Sequence, residues 1–381
     1  MSNLTRRQIL LGGSAVAAAS LIPAVPKTPL TPQMRMMAQA VATDISRPDY
    51  IIRLSSNENP YGPSRVALQA IDANMHRTNR YNMQGERSLA EVIARINGLT
   101  SDHLMIGSGS GEILNIAGML AGMSGGSVVC IDPTFQALLR YAHSAGAEII
   151  RVPVNEAMAA DLDGMRRAIR PDTNLVYLVN PNNPIPNIIN GKEMRDFVLE
   201  MSESRLVFVD EAYHEYVEDP NYSSMLELVA NGHKNIVVAR TASKIHGLAG
   251  LRIGFGYAHP DLIKDMQWRK TGDTTVLSIE AAMASYQDDE FQNFSRRKNR
   301  ESRAIVEDMC ERYSLRYIKS NTNFSLIETG IENQQFQSTM LKHGIATGRD
   351  FPPINKTWSR ISMSKPEEME YFVQIYARLF T

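Results

Sequence analysis

Three side chains in this 381-residue chain stand where burial would change their chemistry: Lys244, Asp210 and Arg252. Lys244 lies in residues 241–258 (TASKIHGLAGLRIGFGYA), a stretch poor in other charge, with Ser243 before it and Arg252 eight residues later. An ordinary lysine has a pKa of about 10.4. One held in an apolar pocket loses its charge and attacks carbonyls. Asp210 closes the apolar run 206–210 and is followed by Glu211, Ala212 and Tyr213. A carboxylate at the end of a buried strand calls for a cationic partner. Arg252 offers a planar fork of donors that fits phosphate oxygens, with the Ser243 hydroxyl beside it. An amine for an aldehyde, a carboxylate for a protonated pyridine nitrogen and donors for a phosphate are what pyridoxal phosphate asks of a protein. Tyr213 would reach the cofactor's ring oxygen. Each residue also has a plain reading: a surface lysine beside a Gly-rich turn, and an aspartate that caps a helix.

The elements that would position these groups alternate. Strands are expected at 104–107, 128–132, 148–154, 175–180, 206–210, 236–240 and 252–258, with helices at 113–120, 134–144 and 191–201 among them. Seven buried strands interleaved with helices predict an α/β domain with a mostly parallel sheet, whose ligands lie at the carboxyl ends of strands. Ser110, Asn183, Asp210 and Lys244 all follow such strands. Residues 107–112 (GSGSGE) open a helix with free N–H groups that suit a phosphate, although a glycine turn before a helix cap reads the same way. Ahead of the sheet, 54–64 is rich in turn formers and reads as a structured loop. Helices follow at 64–75 and 88–97, with Arg80-Tyr81 in a polar loop between them. Beyond about 288 the texture changes. The charge run 296–300 reads as a solvated helix face, and strands at 315–318 and 324–328 mark a second, smaller α+β domain. The expected division is 1–27 leader, 28–60 arm joining the small domain, 61–287 large domain and 288–381 small domain.

Composition narrows the function. With 43% hydrophobic and 21% charged residues the chain can bury a large core. A net charge of −1 with no basic block in the body speaks against nucleic-acid binding. Cys130 and Cys310 form neither a disulfide framework nor a metal spacing, and Cys130 reads as core. Arg6-Arg7 ahead of the weakly apolar run 12–24 resembles a twin-arginine export signal, too short for a stable membrane span. The expected location is therefore periplasmic or exported, with a cytoplasmic protein as the alternative.

In their order along the chain, residues 57–64 (NENPYGPS), Arg80-Tyr81, 107–114, 180–184, 210–213 and 243–252 resemble the class I/II aminotransferases of pyridoxal phosphate fold type I. They are most similar to the histidinol-phosphate aminotransferase branch, and the likeness spans roughly residues 50–365. It implies that Lys244 binds the cofactor covalently and later moves a proton at the substrate α-carbon, that Asp210 pairs with the pyridine nitrogen, and that Tyr213 and Asn183 bond the ring oxygen. It further implies that Phe135 stacks on the ring, that Ser110, Gly111, Ser243 and Arg252 bind the phosphate with Glu112 beside them, and that Tyr81 reaches the phosphate of a neighbouring subunit in a homodimer. Arg360 matches the arginine that grips the substrate carboxylate. Arg349 matches a second contact to an anionic group, and Asn59 falls among the substrate-side residues. Either arginine could instead form a surface salt bridge. No metal is implied.

Three departures stand out. The family's Asn-Pro-Thr-Gly loop reads Asn183-Pro184-Ile185-Pro186, where Pro186 removes a backbone donor. Gly111 stands where an acidic residue is often seen. His246, two residues past the lysine, reads as packing or as a group behind the site. The resemblance implies transfer of an amino group between an amino acid, or a histidinol-phosphate-like amine, and a 2-oxo acid. An amino-acid oxidase or decarboxylase would use the same cofactor residues, and a non-catalytic binding protein is the third alternative.

Overall fold

The computed structural model describes residues 48–381; the expected leader and the first part of the arm lie outside them. The chain runs β1 (Ile52–Leu54), α1 (Arg65–Asn74), α2 (Met83–Ile96), β2 (Leu104–Gly107), α3 (Ser110–Met123), β3 (Ser127–Asp132), α4 (Ala137–Ser144) and β4 (Glu148–Pro153). It continues with α5 (Leu162–Ala168), β5 (Thr173–Val179), α6 (Gly191–Ser202), β6 (Leu206–Asp210), α7 (Leu226–Ala230), β7 (Ile236–Thr241) and β8 (Gly254–Ala258). Then come α8 (Pro260–Gln267), α9 (Val276–Ser285), α10 (Asp289–Arg312), β9 (Tyr317–Ile318), β10 (Phe324–Glu328), α11 (Asn333–Lys342), β11 (Ile345–Thr347), β12 (Trp358–Ser362) and α12 (Pro366–Phe380).

Seven strands form one sheet in the order β2-β8-β7-β6-β5-β3-β4. The central strands are apolar almost throughout because both of their faces are covered. Alternate residues go to opposite cores. Val176, Leu178, Val207, Val209 and Val238 join one with Phe197 of α6 and Ile279 of α9. Leu175, Tyr177, Phe208, Val237 and Ala239 join the other with Leu114 of α3 and Leu138 of α4. Neighbouring strands are parallel except around β8, which runs against both β7 and β2. That one reversal brings Arg252, just ahead of β8, back to the edge where β7 delivers Lys244.

Beyond this sheet, β12-β10-β9 form an antiparallel sheet and β1 pairs in parallel with β11. Ile52, Leu54, Phe336, Ile361 and Phe372 share a third core there. The charge run does more than face water: on α10, Arg296 donates to the Glu215 carbonyl at 3.1 Å and Arg300 pairs with Glu218.

Several element edges differ from the sequence expectation for local reasons. Helix α2 begins at Met83 because the Asn82 side chain accepts from Gly85 N–H and caps it five residues early. Arg252 is outside the strand: its φ is 54°, and extended structure starts at Gly254. A side chain at Gly254 would collide with the Ser110 backbone, so β8 can approach the start of α3 this closely only without one. The strand expected at 315–318 shrinks to Tyr317–Ile318.

Candidate active site

At the carboxyl edge of the seven-stranded sheet lies a cavity of about 340 Å³. Ser110, Gly111, Phe135, Asn183, Asp210, Tyr213, Ser243, Lys244, Arg252 and Arg360 all line it. β6 ends on Asp210, β7 delivers Thr241 and Ser243, and the turn after β7 carries Lys244. Lys244 Nζ donates to the Asn57 carbonyl at 3.2 Å and sits 5.5 Å from the centre of the Tyr213 ring.

One end of the cavity is all donors. The first turn of α3 begins at Ser110, behind Gly109 with φ 77°. Across from it stand the Thr241 and Ser243 hydroxyls, 2.9 Å apart, and the Arg252 guanidinium, which also donates to the Ala249 carbonyl. Open space lies above Gly111, whereas a side chain at Gly109 would strike Arg252. A helix N-terminus, hydroxyls and a guanidinium gathered at one place suit a phosphate dianion. The opposite end holds Asp210, 2% exposed. Among the described residues its side chain accepts one hydrogen bond, from Ala212 N–H at 3.1 Å. Burial pushes this carboxyl up to about 7 against that bond and the charge of Lys244. A cationic ring nitrogen would restore its charge. The residues present therefore fit pyridoxal phosphate at both ends.

A hydrogen-bonded chain crosses between. Tyr213 Oη accepts from Asn57 Nδ2 at 2.9 Å and from Asn183 Nδ2 at 3.3 Å. Arg360, on β12, donates to Asn183 Oδ1 at 2.8 Å and to the Ser55 carbonyl at 2.6 Å, while its buried Nε has no partner among the described residues. The Phe324 and Phe351 rings lie 5.5 and 4.8 Å from its guanidinium. Burial lowers the Arg360 pKa, Tyr213 opposes that shift and the charge of Arg349 adds to it.

Four expected site residues lie elsewhere. Glu112 turns back to accept from Ser108 N–H and from the Thr271 N–H and hydroxyl, bracing the loop before α3. Asn59 donates to the Ile245 carbonyl and to Ser295 Oγ, so it holds the lysine turn. Arg349 borders a neighbouring cavity and stacks on Phe351 at 4.5 Å. Tyr81 is 87% exposed, away from the cavity of its own chain. Residues that sequence reasoning missed include Asn57, Thr241 and Phe351. Asn57 adopts a φ of 52°, and its place beside Gly- and Pro-rich turn residues was the available signal. Thr241 lay within the quoted lysine motif. Nothing local marked Phe351.

Residues 49–375 match the family model described as aminotransferase class I and II. A histidinol-phosphate aminotransferase of Halalkalibacterium halodurans is 34% identical over 323 residues, 84% of this chain and 86% of that protein. Among solved structures, a candidate histidinol-phosphate aminotransferase of Erwinia carotovora atroseptica superposes with a TM-score of 0.83 at 30% identity, covering 86% of this chain and 95% of that one. The histidinol-phosphate aminotransferase of Sinorhizobium meliloti, solved with pyridoxal-5'-phosphate, gives 0.78 at 25% identity over 87% and 90% of the two chains.

Proposed function

The chain belongs to the class I and II aminotransferases and is a pyridoxal phosphate-dependent enzyme, and from that premise we propose the part each site residue plays. One observation carries the assignment: Lys244, the donor cluster and Asp210 converge on a single cavity, with Arg360 on its remaining side. Ser110, Gly111, Ser243 and Arg252 hold the phosphate. Asp210 holds a proton on the ring nitrogen. Tyr213 and Asn183 donate to the ring oxygen, and Phe135 covers a ring face. When bound, the cofactor supplies a ring that draws electrons from the substrate α-carbon. Lys244 would hold the cofactor through Nζ, and its amine, when free, would serve as the base that takes the proton from the substrate α-carbon and gives it back. Arg360 takes the substrate carboxylate, using the free Nε and exchanging its present partners.

The donor is an amino acid or a histidinol-phosphate-like amine and the acceptor a 2-oxo acid. Arg349, beyond Phe351, is placed for a second anionic group on the donor. The test is visible absorbance of the holoenzyme during addition of a panel of amines, then of a 2-oxo acid. Loss of the cofactor band with one donor, restored by the acceptor, is the expected result. Turnover that ignores the acceptor and consumes oxygen, or releases carbon dioxide, overturns it.

We also propose a homodimer in which Tyr81 completes the partner's phosphate site. Its exposure supports this reading. Mixing Tyr81→Phe with Lys244→Ala chains should return about a quarter of native activity if each site draws on both chains. Export by the twin-arginine route rests on Arg6-Arg7 and the run 12–24; Arg6→Lys/Arg7→Lys should block it. The division into a cofactor domain to 287 and a small domain from 288 rests on the separate sheets and cores.

A further inference from the structure

The turn that carries Lys244 is fixed from two sides. Gly247 N–H donates to the Lys244 carbonyl and Leu248 N–H to the Ala242 carbonyl, both at 3.0 Å, closing residues 242–248. From above, Asn59 donates to the Ile245 carbonyl at 2.8 Å. Gly247 sits at φ 67° so close to the Gly62 carbonyl that a side chain would collide with it. From below, the fully buried His246 places Nδ1 2.9 Å from Ser285 Oγ at the end of α9. Its ring stacks on Tyr286 with 3.8 Å between centres and an interplanar angle of 23°. Tyr286 in turn stands edge-on to Phe255 of β8, at 5.1 Å.

We propose that His246 is a positioning residue for Lys244: its bond to Ser285 and its stack on Tyr286 hold the lysine turn against α9, so that Nζ meets the substrate α-carbon at a fixed angle. Simple packing needs only an apolar ring here. A buried polar nitrogen matched to a buried hydroxyl adds direction, because the bond is satisfied in one ring orientation and costs free energy when broken. Burial pushes the imidazole down to about 3, so the ring is neutral and acts by place, not charge. Small displacements of a reacting group cost large factors in rate.

The proposal rests on Lys244 being the reacting lysine, and the experiment separates the two. Borohydride reduction of the holoenzyme, followed by peptide mapping, should label Lys244 in the native protein and in every variant; label on another lysine sinks the site reading itself. With that label in place, His246→Phe keeps a ring on Tyr286 but loses the Ser285 bond, and Ser285→Ala removes the same bond with the ring untouched. Each should lower kcat about tenfold with KM within about twofold, the scale of one buried hydrogen bond. Each should also raise the isotope effect on kcat with α-deuterated donor, because proton transfer becomes slower relative to the other steps. The double variant should lose about as much as either single one, since both remove one interaction. A purely structural role would reduce the active fraction and leave the isotope effect unchanged. An unchanged isotope effect, or losses that multiply in the double variant, overturns the proposal. Ser285→Ala keeps the test open if His246→Phe does not fold.

Discussion

Asp210 and Glu211 are adjacent, both are buried, and they have opposite surroundings. Glu211, on the side away from the cofactor cavity, is fully engaged. Arg240 donates to it through Nε at 3.0 Å and Nη2 at 2.9 Å, Ser224 Oγ lies 2.8 Å away, and Met225 N–H donates at 2.8 Å. Burial is the largest influence on Arg240 and would lower its pKa, but Glu211, joined by Tyr257, Glu215 and Tyr222, outweighs it together with them, and the guanidinium ends above its ordinary value. Among the described residues Asp210 has one backbone donor, and burial pushes its carboxyl up to about 7. The fold satisfies the carboxylate it uses as a strut and leaves its neighbour short of partners. An under-satisfied buried group costs stability until something fills the place, so Asp210 marks where a ligand belongs more sharply than any apolar residue of the cavity.

That contrast can be broken in four ways. The largest effect is expected from Asp210→Asn, which should lower kcat about a thousandfold because the ring nitrogen loses its proton partner, while the apoprotein melts no lower than native at pH 8. Next, Glu211→Gln should destabilise the fold by about 3–5 kcal/mol, since it strands a buried guanidinium, and leave the folded fraction active; denaturant titration and kcat together read this. If Glu211→Gln instead abolished turnover in a stable protein, the division of labour would be wrong.

The third is a pH effect. A carboxyl raised from about 4 to about 7 binds its proton more tightly folded than unfolded, so its stabilising effect is complete below about 4 and is lost as pH rises to 7. The apoprotein should lose on the order of a few kcal/mol across that window through this group, Asp210→Asn should flatten that slope, and the holoenzyme should lack it; thermal melts at pH 4, 5.5 and 7 decide. The smallest effect belongs to Arg349→Gln, outside the cavity: a rise in KM of about tenfold or less for donors with a second anionic group, and none for donors without one.

The sequence made the sheet and one half of the site legible, for a physical reason. Ser110, Asp210, Ser243 and Lys244 each stand at or just past the end of a buried strand, and strand ends in a parallel sheet share an edge. Arg252 was legible as a residue of the cavity though not as a turn residue, since its left-handed backbone depends on how closely β8 meets Ser110. Glu112 and Asn59 carried the right motif and yet spend their side chains on Ser108, Thr271, Ile245 and Ser295. Motif position fixes where a backbone goes; which way a polar side chain turns depends on neighbours far along the chain. The same holds for Asn57, whose carbonyl receives Lys244, and for Phe351 beside Arg360.

Asn57 N–H donates to Ser362 Oγ at 2.8 Å, and that hydroxyl donates to Asn57 Oδ1 at 2.6 Å, across 305 residues. The consequence concerns synthesis. As the chain leaves the ribosome, the cavity donors from Ser110 to Arg252 all emerge well before Arg360 and Ser362. Closing so long a loop is slow, because its entropy is lost before any contact rewards it. A nascent chain can therefore assemble the cofactor end of its cavity early, but Asn57, and with it the acceptor for Lys244, is held only after β12 arrives. Completion of the catalytic centre is in effect a check that translation reached the far end.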